Sequence, residues 1–280
     1  MSFCFRTIVV PVDFSINSDI AINKALEMAE EQAVLHLVHI MDHASFNLPV
    51  VKLKKSPQPA ERTSVGKMLQ EWKDSIEDDF PEIEVRTWIV AASSVQQAIA
   101  DKAKEVQADL IVIGKSSGHS WFPFLNTITS SELSQLTGIA VLTVKPGSLH
   151  NKIKTVVVPV TDHLTQNKIE VVSALCKRYK MKVYLVTFVN DNHVPEEFSA
   201  SSLLQVYQWL KNTLHCSVEY AVLHGSNKAR SILNYAEKIN ADILLVHPKS
   251  ETRIGWWNRQ ISDVLPSQSK VQVLTVQPIQ

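Results

Sequence analysis

Residues Thr7–Asp13 read TIVVPVD and residues Thr155–Thr161 read TVVVPVT, five identities in seven at an offset of 148. The same offset aligns Leu35–Ile40 (LHLVHI) with Val183–Phe188 (VYLVTF). Further on, Ala108–Gly114 (ADLIVIG) matches Ala241–His247 (ADILLVH) at 133, and Val141–Pro146 (VLTVKP) matches Val273–Pro278 (VLTVQP) at 132. The blocks keep one order in both halves, with a longer middle segment in the first. Such self-similarity is the mark of a tandem duplication.

Each block is a short, nearly continuous β-branched run, the pattern of parallel strands covered on both faces. Between blocks the apolar residues take helical spacing: Ala21, Ala25, Leu26 and Met28 in one segment, Val95, Ile99 and Ala103 in another. Strand and helix alternation predicts an α/β fold, two tandem doubly wound domains with right-handed crossovers. Four strand runs per half are plain and a fifth is weaker, Ile83–Val90 in the first and Ser217–Leu223 in the second. Each half is thus read as a five-stranded parallel sheet, with Thr7–Val12 and Thr155–Val160 as central strands. The turn-like Pro146-Gly147-Ser148 sets the boundary, giving domains 1–148 and 149–280. The Lys-, Pro- and Ser-rich stretch Asp42–Ser64 has no period and reads as a mobile excursion leading into a helix over Val65–Ile76.

The 280 residues are 45% hydrophobic and 20% charged, ordinary for a globular chain. Net charge is zero, yet residues 1–148 hold 13 Lys and Arg against 18 Asp and Glu, and the remainder 15 against 10. Opposite signs on the halves favour their docking and argue against nucleic-acid binding. Cys4, Cys176 and Cys216 are odd in number and lack CxxC spacing, so they suggest neither a disulfide framework nor a zinc site, and a reducing cytosol is the expected home. The opening MSFCFRTIVVPVDFS has no secretory pattern, and no run reaches the roughly 18–20 apolar residues of a membrane span, so a cytoplasmic protein without membrane contact is expected. HExxH is missing, His39-x-x-x-His43 begins inside a strand run, and Gly114-x-Ser116-x-Gly118 belongs to a long Gly- and Ser-rich loop rather than a tight strand-to-helix turn, so metal binding and serine-hydrolase chemistry are not expected.

In open parallel sheets, ligands bind beyond the carboxyl ends of the strands, at the point where strand order reverses. That rule selects Asp13, Ile40 and the loop IGKSSGHSWFPFLNTITSSEL that follows Gly114. Its glycines and hydroxyls could turn backbone N–H groups toward an anion. Thr129-x-x-Glu132 has the form of a capping box at the next helix, whose N-terminus would favour phosphate. A P-loop is rejected, because Asp109 stands where its first glycine belongs.

The blocks IVVPVDFS, His39-Ile40, ADLIVIG and AVLTV resemble the universal stress protein family, and the resemblance runs through both halves. It implies paired five-stranded domains, here an intramolecular pair, with the VLTVKP and VLTVQP strands near their contact. It also implies, for nucleotide-binding members, an acid after the first strand and a loop G-x-x-G-x9-G-[ST] holding ATP phosphates with a divalent ion. By that resemblance Asp13 is the nucleoside acid, Ile40 the backbone contact to the base, and Gly114 the first loop glycine. The second glycine falls on Ser117, with Gly118 next to it. The last pair falls on Thr127 and Ile128, just before Thr129. Three of the four loop positions therefore depart. In the second half Thr161 and His247 replace Asp13 and Gly114, so ATP is expected in the first half or nowhere.

The resemblance implies stress-associated regulation or protection without dedicated catalysis, acting through a regulatory partner or a homodimer. The rival readings are an ATP-binding switch with slow hydrolysis, and a carrier of an apolar ligand lined by Trp121, Phe122, Phe124, Trp256 and Trp257.

Overall fold

The computed structural model describes residues 3–42, 45–48, 51–54, 59–115, 128–150, 152–160, 164–190, 200–214, 216–248, 251–254 and 259–278. The first half runs β1 (Thr7–Val12), α1 (Ile16–Met28), β2 (Val34–Asp42), β3 (Ser45–Leu48), β4 (Val51–Lys54), α2 (Pro59–Asp79), β5 (Glu84–Ala92), α3 (Val95–Glu105), β6 (Leu110–Gly114), α4 (Ser130–Thr137) and β7 (Ala140–Val144). A 3-10 turn, Pro146–Ser148, leads on. The second half runs β8 (Thr155–Pro159), α5 (Gln166–Arg178), β9 (Lys182–Asn190), α6 (Ala200–Thr213), β10 (Ser217–Gly225), α7 (Lys228–Lys238), β11 (Ile243–Val246), β12 (Arg253–Ile254), β13 (Arg259–Gln260), α8 (Ile261–Val264) and β14 (Gln272–Thr275).

Ten strands form one sheet in the order β10-β9-β8-β11-β14-β7-β6-β1-β2-β5. Within each half every pairing in this sheet is parallel, and β1 and β8 are the middle strands, as the repeated blocks predict. The halves join through β7 and β14, which pair antiparallel with Leu142 opposite Leu274. The two VLTV runs thus meet at the seam.

Strand alternation divides the core into faces. Ile8, Val10 and Val12 of β1, with Leu142 of β7, Leu274 of β14 and Val156 and Val158 of β8, enter a single core that crosses the seam beneath the helices of that face. Val9, Ile111 and Val141 pack on the opposite face with α3 and α4, while Val157, Leu244 and Val273 pack with α7. One face is therefore shared between the halves, and the other is split.

The repeated Ala-Asp pair has a structural reason. Asp109 Oδ2 accepts from the backbone N–H groups of Arg6 and Thr7 at 3.1 and 2.9 Å. Asp242 Oδ2 accepts from those of Lys154 and Thr155, both at 2.9 Å. Each carboxylate satisfies donors where the central strand begins, donors that burial would otherwise leave costly.

The stretch 42–64 differs from its reading as an aperiodic excursion. β3 and β4 pair antiparallel as a hairpin, and α2 opens at Pro59 rather than Val65. Proline suits a first helical position, where its missing N–H is no loss. Across the seam Arg178 of the basic half donates to the Glu27 carbonyl of the acidic half at 3.2 and 2.9 Å. The described ion pair across the seam sets Lys115 of the acidic half on Asp263 of the basic half. The backbone ladder and the shared core hold the seam.

Gly147 lies in that seam. A Cβ there would stand 2.0 Å from the Gln268 carbonyl oxygen, and its N–H donates to Ser267 O at 2.9 Å. Gly138, by contrast, caps α4 at φ +75° with open space around it. Gly147→Ala should therefore cost more than about 2 kcal/mol, because backbone must move. Gly138→Ala should cost only about 1 kcal/mol of left-handed strain. Urea denaturation of both variants checks the order, and a milder effect at Gly147 would contradict this packing.

Candidate functional site

β1 stands between β2 and β6 in the sheet, so the strand order reverses at its carboxyl end. Asp13 follows β1 directly. Its backbone N–H donates to Ser18 Oγ at 2.9 Å, while Oδ1 accepts from the Ser15 N–H at 3.1 Å, from the Ser15 hydroxyl, and from Ser18 Oγ at 2.7 Å. These bonds need a sharp reversal, and Phe14 supplies it at φ 59°. The result is a carboxylate fixed against the first turn of α1, which favours negative charge. That charge, after burial, helps push the neighbouring Asp19 carboxyl above its ordinary range.

Ile40 is buried in β2, one residue beyond the pairing of Val12 with His39. His39 Nδ1 lies 2.8 Å from Val12 O, and burial lowers its pKa. A carbonyl only accepts, so Nδ1 carries a proton. Phe14 packs on His39 and on Trp72 of α2, with ring centroids 5.0 and 5.1 Å apart. Asp13 and Ile40 thus share one end of the sheet beside an aromatic wall. No sequence pattern announces the wall, since Trp72 comes from a distant helix.

Gly114 ends β6, and a Cβ built on it would fall 1.9 Å from the Asn17 carbonyl oxygen. The glycine is required where α1 crosses β6, whatever else the loop binds. Asn17 is itself buried, and its Oδ1 has no hydrogen-bond partner among the described residues. Ser117, Gly118 and Thr127 lie outside the described residues, as do Trp121, Phe122, Phe124, Trp256 and Trp257.

Ile128 is buried in the core beneath α3 and α4, and Thr129 is the N-cap of α4. The expected capping box does not form. Gln96 of α3 stands in its place: Oε1 accepts from the Thr129 N–H at 3.3 Å, and Nε2 donates to Glu132 at 3.2 Å. One amide answers both the cap donor and the acid, so neither Thr129 nor Glu132 needs the other.

Lys115 follows Gly114 yet turns toward the other half. It is buried, and its Nζ donates to Asp263 Oδ1 at 2.7 Å. Lys145 is buried beside it, and burial together with Lys115 pulls its pKa down to about 8, against the pull of Asp263. Ser131 of α4 meets Thr252 at 3.1 Å and donates to Gln260 at 3.0 Å. The elements flanking the two corresponding loops therefore touch across the seam.

In the second half, protein groups fill the corresponding place. His247 follows β11, with Nδ1 3.0 Å from Val276 O and Nε2 3.0 Å from Thr165 Oγ1. Its N–H donates to Glu251 Oε2 at 2.8 Å. The same carboxylate oxygen accepts from Lys168 Nζ at 2.7 Å, and Lys168 also donates to Pro159 O at 2.7 Å. Lys168 and Glu251 are each 1% exposed. Burial pushes the lysine below its ordinary range, and Glu251 opposes that shift. An ion pair and an imidazole thus lie together at the carboxyl ends of β8 and β11.

The sequence profile of the universal stress protein family matches residues 5–145, and the chain belongs to that family. A universal stress protein from Archaeoglobus fulgidus DSM 4304 matches along 99% of this chain and 98% of its own at 14% identity, with a TM-score of 0.67. A functionally unknown protein from Pseudomonas aeruginosa PAO1 matches along 98% and 92% at 15% identity, with a TM-score of 0.58. The cytoplasmic domain of a prokaryotic cation chloride cotransporter matches along 98% and 95% at 9% identity, with a TM-score of 0.53. At such identities the likeness is one of fold. No curated protein matches the chain. Two universal-stress-protein-like halves thus lie within one chain, and no helix among the described residues is long and apolar enough to cross a membrane.

The buried pair generates one test. Glu251→Ala leaves Lys168 without its anion and should cost about 3 kcal/mol or more, whereas Lys168→Met with Glu251→Leu should recover most of that loss. A double variant as unstable as the single one in urea would show that packing, not the stranded charge, dominates.

A second test uses pH. His247 and His36 are both pushed from 6.5 down to about 4, chiefly by burial and next by Lys168 and Arg86 respectively. His36 Nδ1 accepts from Trp88 Nε1 at 3.0 Å, a bond that a protonated ring cannot make in that form. The unfolded chain takes up these protons near pH 6.5 and the folded chain only near pH 4. The stability they contribute is complete above pH 6.5 and is lost as pH falls through that window. Tm measured from about pH 7 to 4 should drop, and the slope should be shallower in His36→Gln and His247→Gln.

Proposed function

We propose that this chain is a regulatory or protective stress-response protein without dedicated catalysis, in which the first half is the ligand-binding half and the second is its resident partner. The observation behind this reading is the asymmetry of the two crevices. His247, Glu251 and Lys168 fill one, while Asp13 and the end of β2 stand at the other.

A second reading, an ATP-binding switch, draws on Asp13 itself. The hydrogen bonds described at its carboxylate all fall on Oδ1, and Oδ2 is the oxygen a ribose hydroxyl would take. Asp13 would hold the nucleoside and the Ile40 backbone the base. The loop after Gly114 would meet the phosphates with their divalent ion. ATP would serve there as a binding signal, and slow hydrolysis would be incidental to it. Gly114 alone is weak support, because its missing Cβ is already needed by α1.

Titration calorimetry with magnesium and ATP tests both readings. Asp13→Ala should weaken binding tenfold or more, about 1.4 kcal/mol. Thr161→Ala should leave it unchanged. Equal loss from both variants would overturn the confinement of nucleotide to the first half. Absence of binding to the unaltered chain would remove the switch and leave the nucleotide-independent role.

A further inference from the structure

Cys176 and Cys216, scattered in the sequence, are neighbours in the fold. Cys176 lies near the end of α5, and Cys216 lies just ahead of β10, the outermost strand of the second half. Their Sγ atoms stand 2.7 Å apart across 40 positions of sequence. Both are partly buried against the core that runs beneath α5 and α6, beside Tyr179 and Leu214. Two cysteines can be bridged only where the backbone already points their side chains at each other, and here it does. Cys4, in the first half just ahead of β1, takes no part.

We propose that Cys176 and Cys216 form a redox-active dithiol, which a peroxide-class oxidant converts to an intramolecular disulfide. The peroxide oxidises one sulfur to a sulfenic acid and releases one water. The second thiol then attacks that sulfur, forms the S–S bond and expels a second water. Two thiols lose two electrons, the O–O bond takes them up, and both thiol protons leave in water. Burial and the neighbouring sulfur hold the Cys176 thiol above its ordinary pKa, so little thiolate is present there and its reaction with peroxide is slow. A reduced dithiol such as dithiothreitol reverses the bond by exchange.

The bond would tie α5 to the start of β10, whose far side has no strand partner among the described residues. Around that strand the second half exposes Tyr220 and Val222, with Leu204 and Trp209 of α6 close in sequence to Cys216. Oxidation would therefore act on the outer edge of the half that carries no nucleotide machinery.

The test uses the full chain, treated with hydrogen peroxide at low equivalents, alkylated, and digested without reductant. A linked pair of peptides carrying Cys176 and Cys216 is expected, with Cys4 still alkylated. The oxidised chain should melt about 5 °C or more above the reduced one, because closing so long a loop restricts the unfolded chain. Dithiothreitol should reverse the shift. Cys4→Ser should behave like the parent, and Cys176→Ser and Cys216→Ser should each show no peroxide-dependent rise. Recovery of both residues as alkylated thiols after oxidation would overturn the proposal, as would linkage through Cys4 or between two chains. The peptide map reads the parent chain alone, so it decides the matter even if a serine variant fails to fold.

Discussion

The antiparallel pairing of β7 with β14 is the constraint from which the rest follows. A strand at the edge of a sheet carries unpaired backbone groups that recruit other chains unless something covers them. Each half ends its sheet on one such strand, and both are apolar on the face of the shared core, where Leu142 faces Leu274. Pairing the two closes both edges at once and makes ten strands continuous. Because the core on one face crosses the seam, the halves share stability and not merely contact. Gly147 fits this arrangement: the chain must pass within backbone contact of residues 267–269 to place β8 after β7.

Linking the two partners covalently changes what each must do. In a paired assembly of separate chains both copies share one sequence, so both carry the same site. In one chain the partner is held at a high effective concentration, and its affinity no longer limits pairing. The second half can then keep its strands and lose its crevice. In this chain Lys168, Glu251 and His247 lie together at the carboxyl ends of β8 and β11. A buried ion pair is a poor source of stability by itself, since desolvation offsets most of its attraction. It does fill space, and its polar groups are met: Lys168 by Glu251 and Pro159 O, His247 by Thr165 and Val276 O. Glycine at position 247 would have left that space open.

The fold was legible because duplication wrote it twice. TIVVPVD with TVVVPVT and VLTVKP with VLTVQP mark the middle and seam strands, since buried parallel strands demand continuous β-branched runs. The Ala-Asp pair repeats because each half has the same donors to satisfy at the start of β1 and β8. The site was legible in part. Asp13 stands at the reversal of strand order that topology demands, but its serine partners and the wall of Phe14, His39 and Trp72 emerge only in the fold. Asp-x-Ser after a strand could have signalled the turn; nothing in the sequence links Trp72 to Phe14. Contacts between distant positions leave no local pattern. That is why Gln96 at the cap of α4, Lys115 on Asp263, and Cys176 beside Cys216 have no signature in the sequence.

Gly114 shows why a glycine in a family motif does not by itself define a binding site. A nucleotide loop needs glycine so that phosphate can approach the backbone, and a helix crossing a strand needs it so that two backbones can touch. Here the second demand is met at 1.9 Å from Asn17 O, and it would hold the residue as glycine even if the loop bound nothing. Asp13 is subject to the same ambiguity, since Ser15 and Ser18 already use one of its oxygens to shape the first turn of α1. The two residues that carry the resemblance most plainly are also the two that α1 requires for its own placement. Their presence together therefore follows from the fold, and a ligand in the first half would depend on the oxygen of Asp13 that the turn leaves over.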